Sequence, residues 1–179
     1  LFDYSAWGID TEYSGRVTLE AVAQFPKSGL WDVHGDFMVK AEYENGISMY
    51  TSSGSPAGIR YEGDEGWIFV THVGDNTLDA SDPKILNSEI KENEIHLYQS
   101  NEQHGNWLEC IQSRKQPISP IEIGHRACTV CLISHIAMKV PGILNWNPKT
   151  EQFTGNDLAN SMLKKQQRFP YGTNYLKGI

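Results

Sequence analysis

The chain has 179 residues, 39% of them hydrophobic and 21% charged, with a net charge of -7 and a pI near 5.3. That length suffices for a packed core without staples, and the composition excludes disordered and fibrous classes. The acidic balance, with Arg114-Lys115 and Lys164-Lys165 as the only basic knots, argues against a nucleic-acid partner, because such affinity rests on clustered Lys and Arg neutralising phosphates. No stretch approaches the roughly 18 to 20 consecutive apolar residues of a membrane span. The sequence opens on Leu1, so the native N-terminus is expected to be missing; localisation, cytoplasmic or exported, is left open.

In chain order, RVTLEAVAQF alternates as a half-buried strand does, with Val17, Leu19, Ala21 and Ala23 on one side. Past Pro26 to Gly29, DFMVKAEYENGISMYTSS places Asn45-Gly46 between two alternating runs and predicts a hairpin of strands over 36–44 and 46–53. Two further strands are expected over 58–62 and 66–73 across the Gly63-Asp64-Glu65 turn. The polar stretch 74–100 reads as a long connection with a short strand at Ile95 to Leu97. NWLECIQSR predicts a helix with Trp107, Leu108 and Ile111 on one face. A longer helix is predicted from Pro120 to Lys139, its core stripe Ile123, Ala127, Val130, Cys131, Ser134, Ala137 and Met138, stopped by Pro141-Gly142. ILNWNPKTEQF reads as strand and turn, and NDLANSMLKKQQ as a helix capped by Asn156. Strands followed by helices predict a single α+β domain over 1–179, a mostly antiparallel open sheet with helices packed on one face. Trp31, Phe37, Val39 and Tyr43 suggest a second apolar face, suited to a homo-oligomer interface.

A search for self-contained chemistry finds little. GSPAG at 54–58 and GDEG at 63–66 lead into strands, whereas a phosphate loop needs a helix N-terminus after the glycine turn. No cofactor-binding residue is expected in the chain. The six histidines form no HExxH or evident metal pair, and no G-x-S-x-G elbow is present. Cys110, Cys128 and Cys131 are read as free thiols, the C-x2-C of the last two as helix core rather than a metal or redox motif. His125 and Arg126, near the start of the long helix, are the best internal ligand candidates; the alternative reading, a capping or packed histidine and a solvated arginine, is the more common one. Trp31, Trp67 and Trp146 could stack on a ligand face, although large aromatics are more often core.

In combination, IRYEGDEGWIFV, LECIQSRKQPISPIEIGHRACTVCLISHIAMKV and LNWNPKTEQFTGNDLANSMLKKQQRFPY resemble the C-terminal domain of the Gfo/Idh/MocA family, the glucose-fructose oxidoreductase and inositol dehydrogenase-like group, in its larger bacterial subfamily. The resemblance implies an N-terminal Rossmann domain, absent from this chain, that binds NAD or NADP. It implies that the present α+β domain shapes a sugar or polyol site and mediates oligomerisation. Family members carry a catalytic Lys in the nucleotide-binding half and a catalytic His in an H-x-x-D pattern; Asp3 in LFDYSAWGID resembles that Asp, with Trp7 one turn on. Both catalytic groups would then precede Leu1, leaving Asp3, Trp7, His125 and Arg126 as substrate-binding candidates, no metal ligands, and no activity in this chain alone. Two alternatives stay open: glycoside cleavage through transient oxidation by held NAD, and a stand-alone binding or assembly module without catalysis.

Overall fold

A computed structural model describes residues 1–11, 13, 17–71 and 77–172. The fold is α+β, with antiparallel sheets, and the chain divides into two compact units. The first comprises 1–14 and 54–131, the second 15–53 and 132–179.

The second unit is built on a five-stranded antiparallel sheet among the described residues. Its strands are β1 (Val17–Ala23), β2 (Phe37–Tyr43), β3 (Ser48–Ser52) and, far along the chain, β7 (Leu144–Asn147) and β8 (Gln152–Phe153). The spatial order is β3-β2-β1-β7-β8, so β1 lies at the centre. Its register sets Val17 opposite Tyr43 and Trp146, and Leu19 opposite Ala41 and Leu144. Period-two alternation therefore stacks the apolar residues of three strands on one face. Leu19, Leu144, Val17 and Val39 are all fully or nearly fully buried. Trp146 meets Phe153 edge-on at 5.1 Å, and Ile133, Ile136, Ala137 and Val140, at the end of a long helix described below, complete the core.

The expected hairpin forms, with one refinement. Tyr43 and Ile47 close a loop of Glu44, Asn45 and Gly46, with Gly46 at φ +84°, rather than a two-residue Asn-Gly turn. The second apolar face is not found. Val39, Ala41 and Tyr43 share the core face with Val17 and Leu19, and Trp31, in the connection before β2, is 75% exposed. The outward face instead carries Thr18, Glu20, Val22, Met38, Lys40 and Glu42. There Lys40 and Glu42 pair at 2.6 Å, and this hydrogen bond holds the Lys40 ammonium above its ordinary range.

The first unit holds α1 (Phe2–Gly8), β4 (Gly58–Gly63), β5 (Gly66–Thr71), β6 (Leu78–Ala80), α2 (Pro83–Leu86), α3 (Gln103–Ser113) and the start of α4 (Ile121–Lys139). The strands form a second sheet in the order β4-β5-β6. The expected strand at Ile95 to Leu97 is absent: Ile95 and Leu97 are exposed, and the imidazole of His96 meets the Lys91 carbonyl. The pairing taken from this stretch is instead by Leu78 to Ala80, against Ile68 to Val70. The expected strand ends at Arg16, His72 and Val73 lie outside the described residues.

α3 contradicts its expected facing. Trp107, Leu108 and Ile111 are 59, 54 and 44% exposed, while Asn106 and Cys110 are buried. Asn106 is satisfied on both sides: its amide nitrogen donates to Tyr98 Oη at 2.9 Å and its carbonyl accepts from Ile118 N at 3.1 Å. A buried amide that ties two loop segments to one helix turn fixes which face points inward.

α4 matches its predicted span, and Ile123, Val130, Ser134 and Ala137 are buried as expected. Cys128 and Cys131 are not core; both are exposed and unbridged. Ile133 and Ile136, which the predicted stripe omitted, are buried. The last helix, α5 (Asp157–Ser161), is capped as predicted, Asn156 Oδ1 accepting from Ala159 N at 2.9 Å. The expected core role of Leu19 gives a direct test: Leu19→Ala should cost about 2–5 kcal/mol, read as a lowered urea midpoint, whereas Val22→Ala on the outward face should move it by about 0.5 kcal/mol or less.

Candidate functional site

Asp3 and Trp7 stand one helical turn apart on α1, both exposed, with Trp7 at 40%. α1 is short, so its position depends on an anchor. That anchor is Tyr61 of β4, whose hydroxyl donates to the Tyr4 carbonyl at 2.7 Å. The Tyr61 ring also lies against Gly8 so closely that a Cβ there would fall 2.5 to 2.6 Å from ring atoms. Burial pushes the Tyr61 phenol above its ordinary range, which keeps it a neutral donor. Sequence reading did not single out Tyr61; its place in an alternating strand gave no sign of a partner from 57 residues earlier in the chain.

His125 and Arg126 are the fifth and sixth residues of α4. The free amides of the opening turn belong to residues before them, and Ile123 N and Gly124 N already donate to the Pro120 carbonyl. Arg126 is directed by Glu122, to which its Nε donates at 2.8 Å and its Nη2 pairs at 2.7 Å. The His125 carbonyl accepts from Thr129 Oγ1 at 2.8 Å, and the residue is exposed. The residue types are a carboxylate and an indole on α1, and on α4 an imidazole and a guanidinium held by Glu122.

The three tryptophans separate by environment. Trp146 is core, Trp31 is exposed, and Trp67 carries the Arg60 guanidinium 4.5 Å from its ring centroid, with Arg60 also paired to Glu62 at 2.8 Å. Trp67 thus has one ring face taken by a cation.

The two glycine turns form no dinucleotide loop. Residues 54–58 run into β4, and Gly63 and Gly66 face each other across the β4–β5 turn. Neither glycine cluster opens a helix, so neither supplies the converging amides a pyrophosphate needs. No group of three or more His, Cys, Asp or Glu among the described residues could hold a metal, and no helix there is long and apolar enough to cross a membrane. Although Cys131 is exposed as a residue, partial withdrawal of its thiol from water and the neighbouring Cys128 push the thiol up, away from a reactive thiolate.

Residues 60–173 match the family described as the oxidoreductase family, C-terminal alpha/beta domain. The chain belongs to this family. The match begins inside β4 and runs through α3, α4 and the β7–β8 pair, bearing out the Gfo/Idh/MocA resemblance. No curated protein was found to match. Among solved structures, the chain is similar to an NAD-binding protein from Listeria innocua, with 14% identity, TM-score 0.51 and coverage of 77% of this chain and 42% of that one. It is also similar to an aldose-aldose oxidoreductase from Caulobacter crescentus complexed with glycerol, with 14% identity, TM-score 0.54 and coverage of 79% and 43%. The chain therefore spans less than half the length of these two structures.

The α1 anchor is testable. Tyr61→Phe should lower stability by about 0.5–1.5 kcal/mol through loss of one hydrogen bond, whereas Gly8→Val should release α1, seen as faster hydrogen exchange over residues 2–8 with the five-stranded sheet unchanged.

Proposed function

We propose that this chain is the C-terminal, substrate-side part of a nicotinamide-dependent oxidoreductase acting on a sugar or polyol. NAD or NADP is held by another part of the complete protein, which also carries the catalytic Lys and His. The observation that carries the proposal is the family match over 60–173, running across both units of the chain. It is supported by the misfit of the described glycine turns to a dinucleotide, and by similar structures more than twice as long as the matched segment, one NAD-binding and one an oxidoreductase holding glycerol.

In this reading Asp3 accepts hydroxyl hydrogens of the sugar and Trp7 packs on its C–H face. His125 and Arg126 donate to further hydroxyls, with Glu122 steering the guanidinium. These groups bind and orient; hydride and proton transfer occur beyond them. Exposed Trp107, Leu108 and Ile111 offer α3 as apolar surface for a further domain to cover. We assign homo-oligomerisation to the outward sheet face, where Val22, Met38 and Tyr50 are 68, 49 and 63% exposed beside the Lys40–Glu42 pair. That mixed composition suits a non-obligate contact.

The deciding experiment expresses the complete reading frame and measures reduction of NAD and NADP against a panel of aldoses and polyols. Turnover by the complete protein, with none by the 179-residue chain alone, is expected. A complete protein that neither binds a nicotinamide nucleotide nor turns over would leave only an assembly role. In an active protein Trp7→Ala should raise KM about tenfold, equivalent to about 1.4 kcal/mol, and leave kcat nearly unchanged. Met38→Asp should lower the sedimentation coefficient without abolishing turnover.

A further inference from the structure

The connection between β1 and β2, residues 24–36, has a tip of exposed apolar side chains: Leu30, Trp31 and Val33 are 91, 75 and 56% exposed. A segment so weakly held by burial needs a fastening elsewhere. Its two ends supply one. Phe25 and His34 both meet His135 of α4, with ring centroids 6.5 and 5.5 Å away, and His34 meets Phe37 edge-on at 4.8 Å. Lys139, one turn beyond His135, places its ammonium 5.8 Å from the Phe25 centroid.

Among the described residues, no carboxylate pairs with this cluster. Asp36 accepts from the Ser53 hydroxyl at 3.3 Å, Asp32 is exposed, and among the described residues neither imidazole forms an ion pair. His34 Nδ1 is buried without a hydrogen-bond partner. Phe25 and Phe37 present rings, and Lys139 is the charged group facing the pair from α4.

We propose that His34 and His135, packed with Phe25, Phe37 and Lys139, form an acid-released latch that holds the β1–β2 connection on the C-terminal half of α4. Neutral imidazoles pack as aromatic rings. A proton on His135 adds a second cation beside Lys139, in a cluster with no ion-pair partner for it among the described residues. Burial, then Lys139, then His34 hold His135 below the ordinary histidine value of 6.5. The released connection therefore binds more protons than the latched one between those two values. Latching is complete above the ordinary value and is lost as pH falls through the depressed one. The release is local: β1 and β2 keep their ladder, and the apolar tip changes its tether.

Hydrogen exchange over 25–36 tests this, corrected for intrinsic pH dependence and followed from pH 7.5 to 5.0 in the complete protein. Protection should fall several-fold, by at most about tenfold per pH unit for each proton taken up, while 17–23 and 37–43 stay protected. His34→Phe with His135→Phe should abolish the pH dependence, and Lys139→Gln, at an exposed position, should weaken it. Equal loss in the wild type and the double variant, or no loss in the wild type, overturns the latch. Should the double variant fail to fold, ring-proton NMR of the wild type decides: a depressed His135 titration that tracks release of the connection supports the latch, and ordinary independent titration of both rings overturns it.

Discussion

The pairing of β1 with β7 is the constraint on which the second unit depends. Leu19 and Leu144 meet across it, both buried, although they lie at opposite ends of the chain. Closing so long a loop is entropically opposed, and the cost grows only slowly with length. The burial of two fully covered leucines together with Val17 and Trp146 offsets it, at roughly 1.5–3 kcal/mol for each large side chain withdrawn from water. Without that pairing, β7 and β8 would be left as an isolated hairpin, which is marginal in water, and the β1–β2–β3 meander would lose the strand that covers the other edge of β1.

The first unit is organised differently. Its buried set among the described residues is small: Ala6, Thr11, Asn106, Cys110, Ile123 and Val130, two of them polar. Specific polar contacts carry more of the ordering here, through Tyr61 to Tyr4 and through Asn106 to Tyr98 and Ile118. Such contacts set orientation sharply, yet contribute modest net stability each. The candidate ligand-binding side chains, Asp3, Trp7, His125 and Arg126, all belong to this unit, while the large buried core and the outward sheet face belong to the other. This division fits the proposal that one part of the chain recognises substrate and the other assembles copies.

Family membership was legible in the order of motifs from Arg60 onward, and the match to residues 60–173 covers that stretch. The candidate site was legible only as residue types. Asp3 and Trp7 could be named from the H-x-x-D resemblance, but Tyr61, which positions their helix, could not, because nothing near Tyr61 in sequence refers to Tyr4. Likewise Glu122 is one acidic residue among many until the helix places it four residues before Arg126.

The sequence by itself determined the local features: the Asn45-Gly46 reversal, the span of α4 between Pro120 and Pro141, the Asn156 cap and the alternation of β1. Each depends on the φ/ψ preferences and hydrogen-bonding of adjacent residues, which a short window contains in full. Tertiary structure decided which side of α3 faces inward, that Cys128 and Cys131 are exposed, that β6 forms at Leu78 and not at Ile95, and that β1 is central. These outcomes turn on which distant apolar surfaces find each other and which buried polar groups find partners. That free energy belongs to the assembled fold and to no single segment.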